Sequence, residues 1–204
     1  KLGRITYNFE EDIIASAKTI CKRYKGNQAH AEYLEQMAGK FFDLLQKYHG
    51  LGERERLLLR LAAILHDCGK FISMSAPGEC AYQIIMSTEI LGISHMEREM
   101  VASIVRYNTM ELPNFNEFDG KLGNDEYLIV MKLAAILRVC NALDRSHRQK
   151  FADMKLTIKD SNIVITTAYP DNITLEKKTL QDKQDFFEEV YGLGFEIKQK
   201  KKKQ

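Results

Sequence analysis

The chain has almost no net charge, no paired-cysteine motif, no internal repeat and no apolar run of membrane-spanning length, and each absence removes a class of protein. Its 30 Lys and Arg stand against 28 Asp and Glu, a formal charge of +2. Global charge therefore announces neither a nucleic-acid nor a membrane partner, and any polyanion site must be local. Cys21, Cys68, Cys80 and Cys140 are scattered without CxxC spacing, and nothing resembling a secretory signal opens the chain. Reduced thiols in the cytoplasm are expected, not a disulfide framework. A membrane span needs about 20 predominantly apolar residues in a row; none occurs, and a soluble protein is expected. A length of 204 residues with 45% hydrophobic content provides one sizeable core plus a small appendage, not two equal domains. The chain opens on Lys1, not Met, and an excised domain or processed fragment is the expectation.

What is present is organised around Leu57 to Lys70. This stretch is apolar almost all round as far as Leu65 and then reads His66-Asp67-Cys68-Gly69-Lys70, the pattern of a helix buried on every side. Gly69 is placed to stop the helix in the left-handed conformation, and Lys70 suits the negative helix end. His66 and Asp67 then sit partly buried on the last turn. A carboxylate held away from water needs a cation, a metal or several donors.

The remaining periodicity is mostly helical. A helix capped by Asn8 runs through Ile13, Ile14, Ala17, Ile20 and Cys21, and breaks at Gly26. His30, Leu34, Met37, Phe41, Leu44 and Tyr48 trace one stripe of a long second helix, which turns at Gly50-Leu51-Gly52. Beyond Lys70 come a short helix with Ala81, Ile84, Ile85 and Thr88 on one face, and one capped by Ser94 with Met96, Met100, Ile104 and Tyr107 inward. Residues 109 to 124 read as a surface loop of the kind that borders sites. A long helix then runs from Asp125 to about Gln149, its stripe of Tyr127, Val130, Ala134 and Leu137 ending in the polar Asn141 and Asp144. Past residue 151 a hairpin across Asp160-Ser161-Asn162, a helix over Leu180 to Gly192 and a strand at Phe195 to Ile197 make a small α/β part.

Polar residues on inner faces are few: His30, His66, Asp67, Asn141 and Asp144. Imidazole with carboxylate binds several divalent first-row metals, and such a metal polarises phosphoryl oxygens and acidifies bound water. The competing reading is that both histidines are satisfied core residues and Asp67 only caps the helix or pairs with an arginine. Arg106, Arg138, Arg145, Arg148 and Lys150 offer a polyanion path, since guanidinium forks match phosphate oxygens in pairs. The alternative is that they pin the helix end through ion pairs. Cys68 is expected as a buried small hydrophobe, and His49 and His95 as surface residues.

His30, an apolar helix, and then Leu65-His66-Asp67-Cys68-Gly69-Lys70 resemble the HD superfamily of metal-dependent phosphohydrolases. Ala81-Tyr82-Gln83-Ile84-Ile85, Val105-Arg106-Tyr107-Asn108, Leu137-Arg138-Val139-Cys140-Asn141-Ala142-Leu143-Asp144-Arg145-Ser146-His147-Arg148 and Phe186-Phe187-Glu188-Glu189-Val190-Tyr191-Gly192 resemble the C-terminal region of the exopolyphosphatase and guanosine pentaphosphate phosphohydrolase (Ppx/GppA) family. The resemblance implies a mostly α fold, an HD-type helical bundle with a small C-terminal α/β appendage. Its parts are an HD-like domain over 1–150, an appendage over 151–199 and a basic tail over 200–204. It implies metal ligands at His30, His66, Asp67 and Asn141 for one divalent ion among Mn, Fe, Ni, Zn and Mg, although Asn141 stands where the superfamily has Asp. Glu79 and Asn108 stand where a second metal wants histidines.

The family's phosphatase chemistry resides in an N-terminal actin-like domain, which would be the partner of this one in the parent chain. The implied role is binding of polyphosphate or guanosine polyphosphate and support of a homodimer, with no membrane or nucleic-acid partner. The alternative is a free-standing HD phosphohydrolase in which Asp67 acts at the metal and Lys70 or Arg145 steadies the substrate phosphate.

Overall fold

A computed structural model describes residues 9–118 and 122–200. Among them eight α-helices and three strands follow in the order α1 (Phe9–Arg23), α2 (Gln28–Leu44), α3 (Gln46–His49), α4 (Glu53–Leu65), α5 (Pro77–Ser87), α6 (His95–Thr109), α7 (Asn124–Leu143), β1 (Lys155–Lys159), β2 (Asn162–Thr167), α8 (Thr174–Tyr191) and β3 (Gly194–Gln199). The protein is mostly helical with a small α/β part. Among the described residues no helix is long and apolar enough to cross a membrane. The expected Asn8 cap and the tail from 201 onward lie outside the described residues.

α7 is the axis. Leu133, Ala134, Ala135, Ile136 and Leu137 are all fully buried, because α2, α4, α6 and α8 each pack against this helix. α2 and α4 also pack on each other. These contacts bring the first turn of α2, the end of α4 and the end of α7 to one place. The Asn27 side chain fixes the start of α2 by accepting the His30 N–H at 3.1 Å, an N-cap that sets the backbone at His30.

β1 and β2 form the expected hairpin, with Leu156 opposite Ile165. Asp160 and Ser161 make its two-residue turn at φ 47° and 60°, the left-handed pair that a tight hairpin requires. β3 returns through α8 to pair parallel with β2. Phe151, Ile163, Ile165, Leu180 and Phe187 belong to the same hydrophobic cluster as the bundle, and the Tyr191 hydroxyl donates to the Lys132 carbonyl on α7 at 2.9 Å.

Several local expectations change, among them Met96, which is 38% exposed and not inward. The second helix breaks at Leu45, which is fully buried, and leaves Tyr48 47% exposed; the stripe shifts where α2 gives way to α3. α7 stops at Leu143, not near Gln149, because the Asp144 carboxylate captures the Gln149 N–H at 2.7 Å and turns the chain. Gly69 lies in a 3-10 turn over Cys68–Phe71 and has no left-handed φ. What requires glycine there is close approach: a β-carbon would meet the Pro77 carbonyl oxygen at 1.9 Å and the Ala81 nitrogen at 2.5 Å. His49 is buried, not on the surface. Its Nε2 donates to the Phe42 carbonyl at 2.9 Å and its Nδ1 accepts the Leu51 N–H at 2.9 Å, which closes the turn into α4.

Candidate functional site

Where α2, α4 and α7 converge, two imidazoles are held in the same way. His30 Nδ1 donates to Asp144 Oδ2 at 2.7 Å, with both side chains buried. His66 Nδ1 donates to the Ala63 carbonyl at 2.7 Å. A carbonyl and a carboxylate only accept, so each hydrogen bond places the proton on Nδ1 and leaves Nε2 as a lone-pair donor. Among the described residues both Nε2 atoms are buried and have no hydrogen-bond partner. The rings lie 5.0 Å apart. A second partner that fixes the tautomer is how proteins orient a metal-binding histidine.

Burial is the main force on His66 and pushes its pKa down to about 4, so it is neutral at neutral pH. For Asp67 burial acts upward, but His66 and Lys70 outweigh it and hold the carboxyl below its ordinary value. Lys70 Nζ touches Asp67 Oδ1 at 2.7 Å, and His66 Nε2 lies 3.2 Å from the same oxygen. Oδ2 has no hydrogen bond or ion pair among the described residues.

His147 completes the group. Its ring stacks on that of His30, centroids 3.8 Å apart at 12°, and burial together with His30 lowers its pKa. One ligand atom from each of His30, Asp67 and His147 lies within 4.8 Å of the others. Ligands about 2.1 Å from one ion stand at most about 4.2 Å apart, so the set assembles by a small closure together with a turn of the His147 ring out of its stack on His30. The residues present therefore fit a divalent ion. Asn141 lines a cleft whose lining does not include His30, His66 or Asp67. Asp144 reaches His30 because the chain leaves the helical path there, at φ −118° and ψ 34°.

The five basic residues divide. Arg106 pairs with Glu79 through Nε at 2.7 Å and a second nitrogen at 2.6 Å. Arg138 is buried, donates from Nε to the Tyr107 carbonyl at 2.7 Å and to the Met110 carbonyl, and stacks 4.3 Å over Phe186. Lys150 is buried against Glu176 Oε2 at 2.9 Å and the Asn172 carbonyl at 2.8 Å. Arg145 and Arg148 are exposed and make no side-chain ion pair or hydrogen bond among the described residues.

Arg145 lines the cleft between α6, α7 and α8, a space of about 460 Å³. Arg138, Lys178 and Lys183 share that lining with a single carboxylate, Asp182. Asn108 also lines it, buried, with neither amide atom partnered among the described residues. Lys178 escaped the sequence reading because α8 begins at Thr174, six residues before the apolar pattern that marked it; Lys183 lay inside the expected helix, but nothing in the spacing joined it to the Arg145 cluster. Cys68 is no nucleophile: burial drives its thiol up to about 12. His95 is exposed, with Nδ1 3.1 Å from Arg98.

Fold and site together define a mostly helical domain with a histidine–carboxylate cluster and a basic cleft around the end of one central helix. Residues 14–185 match the family described as Ppx/GppA phosphatase, domain III. That match covers most of the chain, and the chain belongs to this family. No curated protein matches it.

Proposed function

We propose that this chain is the helical C-terminal domain of a polyphosphate or guanosine polyphosphate phosphatase. It holds the phosphate chain and supports a homodimer, while catalysis rests with an actin-like domain N-terminal to it in a cytoplasmic parent protein. In this reading residues 1–150 form the HD-like part, 151–199 the appendage docked on α7, and 200–204 a basic tail. The observation that carries it is the cleft rimmed by the unpaired Arg145 with Lys178 and Lys183. Guanidinium keeps its charge at any relevant pH and grips phosphate oxygens in pairs.

The test is binding of polyphosphate of defined length, measured at several salt concentrations. Arg145→Ala should weaken binding and give a shallower salt dependence, because fewer phosphates are neutralised. Equal affinity and equal slope would remove Arg145 from the site. Light scattering of the purified chain tests the dimer.

A second reading, a free-standing metal-dependent phosphohydrolase, is favoured by the orphaned Nε2 atoms of His30 and His66 beside Asp67. A bound Mn, Fe, Ni, Zn or Mg ion would polarise a phosphoryl oxygen and acidify water. Asp67 would help hold that ion, with His30 and His66 beside it, and Lys70 or Arg145 would steady the substrate. Phosphate-ester hydrolysis by the purified chain, lost in Asp67→Asn, would establish it. No hydrolysis with any of these metals would leave the binding role alone.

A further inference from the structure

The histidine cluster and the exposed arginines meet in the turn that follows α7. One buried carboxylate ties them together: Asp144 Oδ2 accepts His30, and Oδ1 accepts the Gln149 N–H at 2.7 Å. The His147 N–H donates to the Asp144 carbonyl at 2.9 Å. His147 and Gln149 stand at φ 54° and 50°, a left-handed region uncommon for residues other than Gly, which Asn, Asp and His enter more readily than Gln. The turn is thus bent to lay the His147 ring flat on His30, 3.8 Å away. The only hydrogen-bond contact on the His147 ring among the described residues is Asn27 Nδ2, 3.4 Å from Nδ1. Arg145 and Arg148 flank it.

We propose that His147 is the third ligand, after His30 and Asp67, of a divalent transition-metal site, and that closing on the ion fixes the turn that presents Arg145 and Arg148. Cation and phosphate chain then bind cooperatively. The donor set is two imidazoles and one carboxylate, which suits Mn, Fe, Ni and Zn better than the all-oxygen preference of calcium. His147 is the exposed member of the set. His30 and Asp67 are anchored by Asp144 and Lys70, so the small closure that coordination needs falls on the turn. The coupling rests on the proposed phosphate-binding role; the ligand assignment does not.

Cobalt(II) is the probe, because its visible spectrum reports coordination. The full chain should bind one equivalent with ligand-field bands. His147→Asn, a residue that tolerates left-handed backbone, should weaken binding at least about tenfold, a loss that outer-shell partners alone can cause. Amide hydrogen exchange over residues 145–150 should slow on adding cobalt to the parent chain and not to the variant. Cobalt-loaded, desalted protein should bind polyphosphate about fivefold tighter or more than metal-free protein, the lower end of ordinary coupling between sites, and His147→Asn should abolish the difference.

An unchanged spectrum and affinity in His147→Asn would overturn the ligand assignment. Cobalt binding without slower exchange would overturn the ordering of the turn. Equal polyphosphate affinity with and without cobalt would overturn the coupling. If polyphosphate binds neither form, the phosphate-binding role itself falls with the coupling, while cobalt and exchange still decide the ligand and the turn.

Discussion

Lys150 offers the sharpest separation of a structural cation from a binding one. Its Nζ sits 2.9 Å from Glu176 Oε2, and the Glu176 side chain has no solvent exposure. Lys150→Ala leaves that carboxylate buried without a cation and the Asn172 carbonyl without its donor. Removing one partner of a buried pair costs about 3–5 kcal/mol, whereas replacing both with apolar side chains of similar volume is often neutral. For a protein of this size each kcal/mol moves Tm by about 2–4 °C, so the single variant should melt roughly 6–20 °C lower. Lys150→Met combined with Glu176→Leu should recover most of that loss. Differential scanning calorimetry reads the stability. Polyphosphate binding, measured well below both melting points, should be unchanged in the double variant. A Lys150→Ala protein as stable as the parent but weakened in polyphosphate binding would refute the reasoning and return Lys150 to the phosphate path.

Gly69→Ala drives a β-carbon into the Pro77 carbonyl, 1.9 Å away, and the backbone of α5 must shift. Overpacking of this kind costs about 1–3 kcal/mol or more; a melting point within a degree of the parent's would show that α5 yields freely. His66 makes stability depend on pH when a chelator is present. Burial lowers its pKa from 6.5 to about 4, so between those values the unfolded chain binds the proton and the folded one does not. Stability is complete above pH 6.5, falls as pH drops toward 4, and loses up to about 3 kcal/mol in all. Urea unfolding at pH 7 and pH 5 should show the fall, and His66→Gln should flatten it; an unflattened profile would assign it to other groups.

The bundle was legible because helix burial writes itself into spacing. The run from Leu57 to Leu65 has almost no polar interruption, and it emerges buried throughout except at its arginine. Arg60 is accommodated by Glu35 at 2.7 Å and by Glu10. The hairpin was legible for the same kind of reason, from alternation on either side of a two-residue turn. His147 was not, since its place depends on two left-handed residues after a helix end, and periodicity extended past that end assigns it to a face that does not exist. Glu176 was hidden as well. It is buried while its neighbour Leu175 is 49% exposed, the reverse of what hydropathy dictates, and its partnership with Lys150 helps account for it.

That reversal bears on how the two halves of the site are held. Asp144 and Lys150 lie at the two ends of one short turn, each nearly or fully buried and each committed to a partner on a different element, His30 on α2 and Glu176 on α8. Between them Arg145, His147 and Arg148 stay exposed. A buried polar pair is weak evidence for net stability, but it fixes geometry because a shifted register leaves a buried carboxylate without its partner. Two such anchors hold the ends of the turn and leave its middle available to ligands. Substitutions at Asp144 or Lys150 should therefore lower stability first, whereas substitutions at Arg145, His147 or Arg148 should affect binding with little loss of stability.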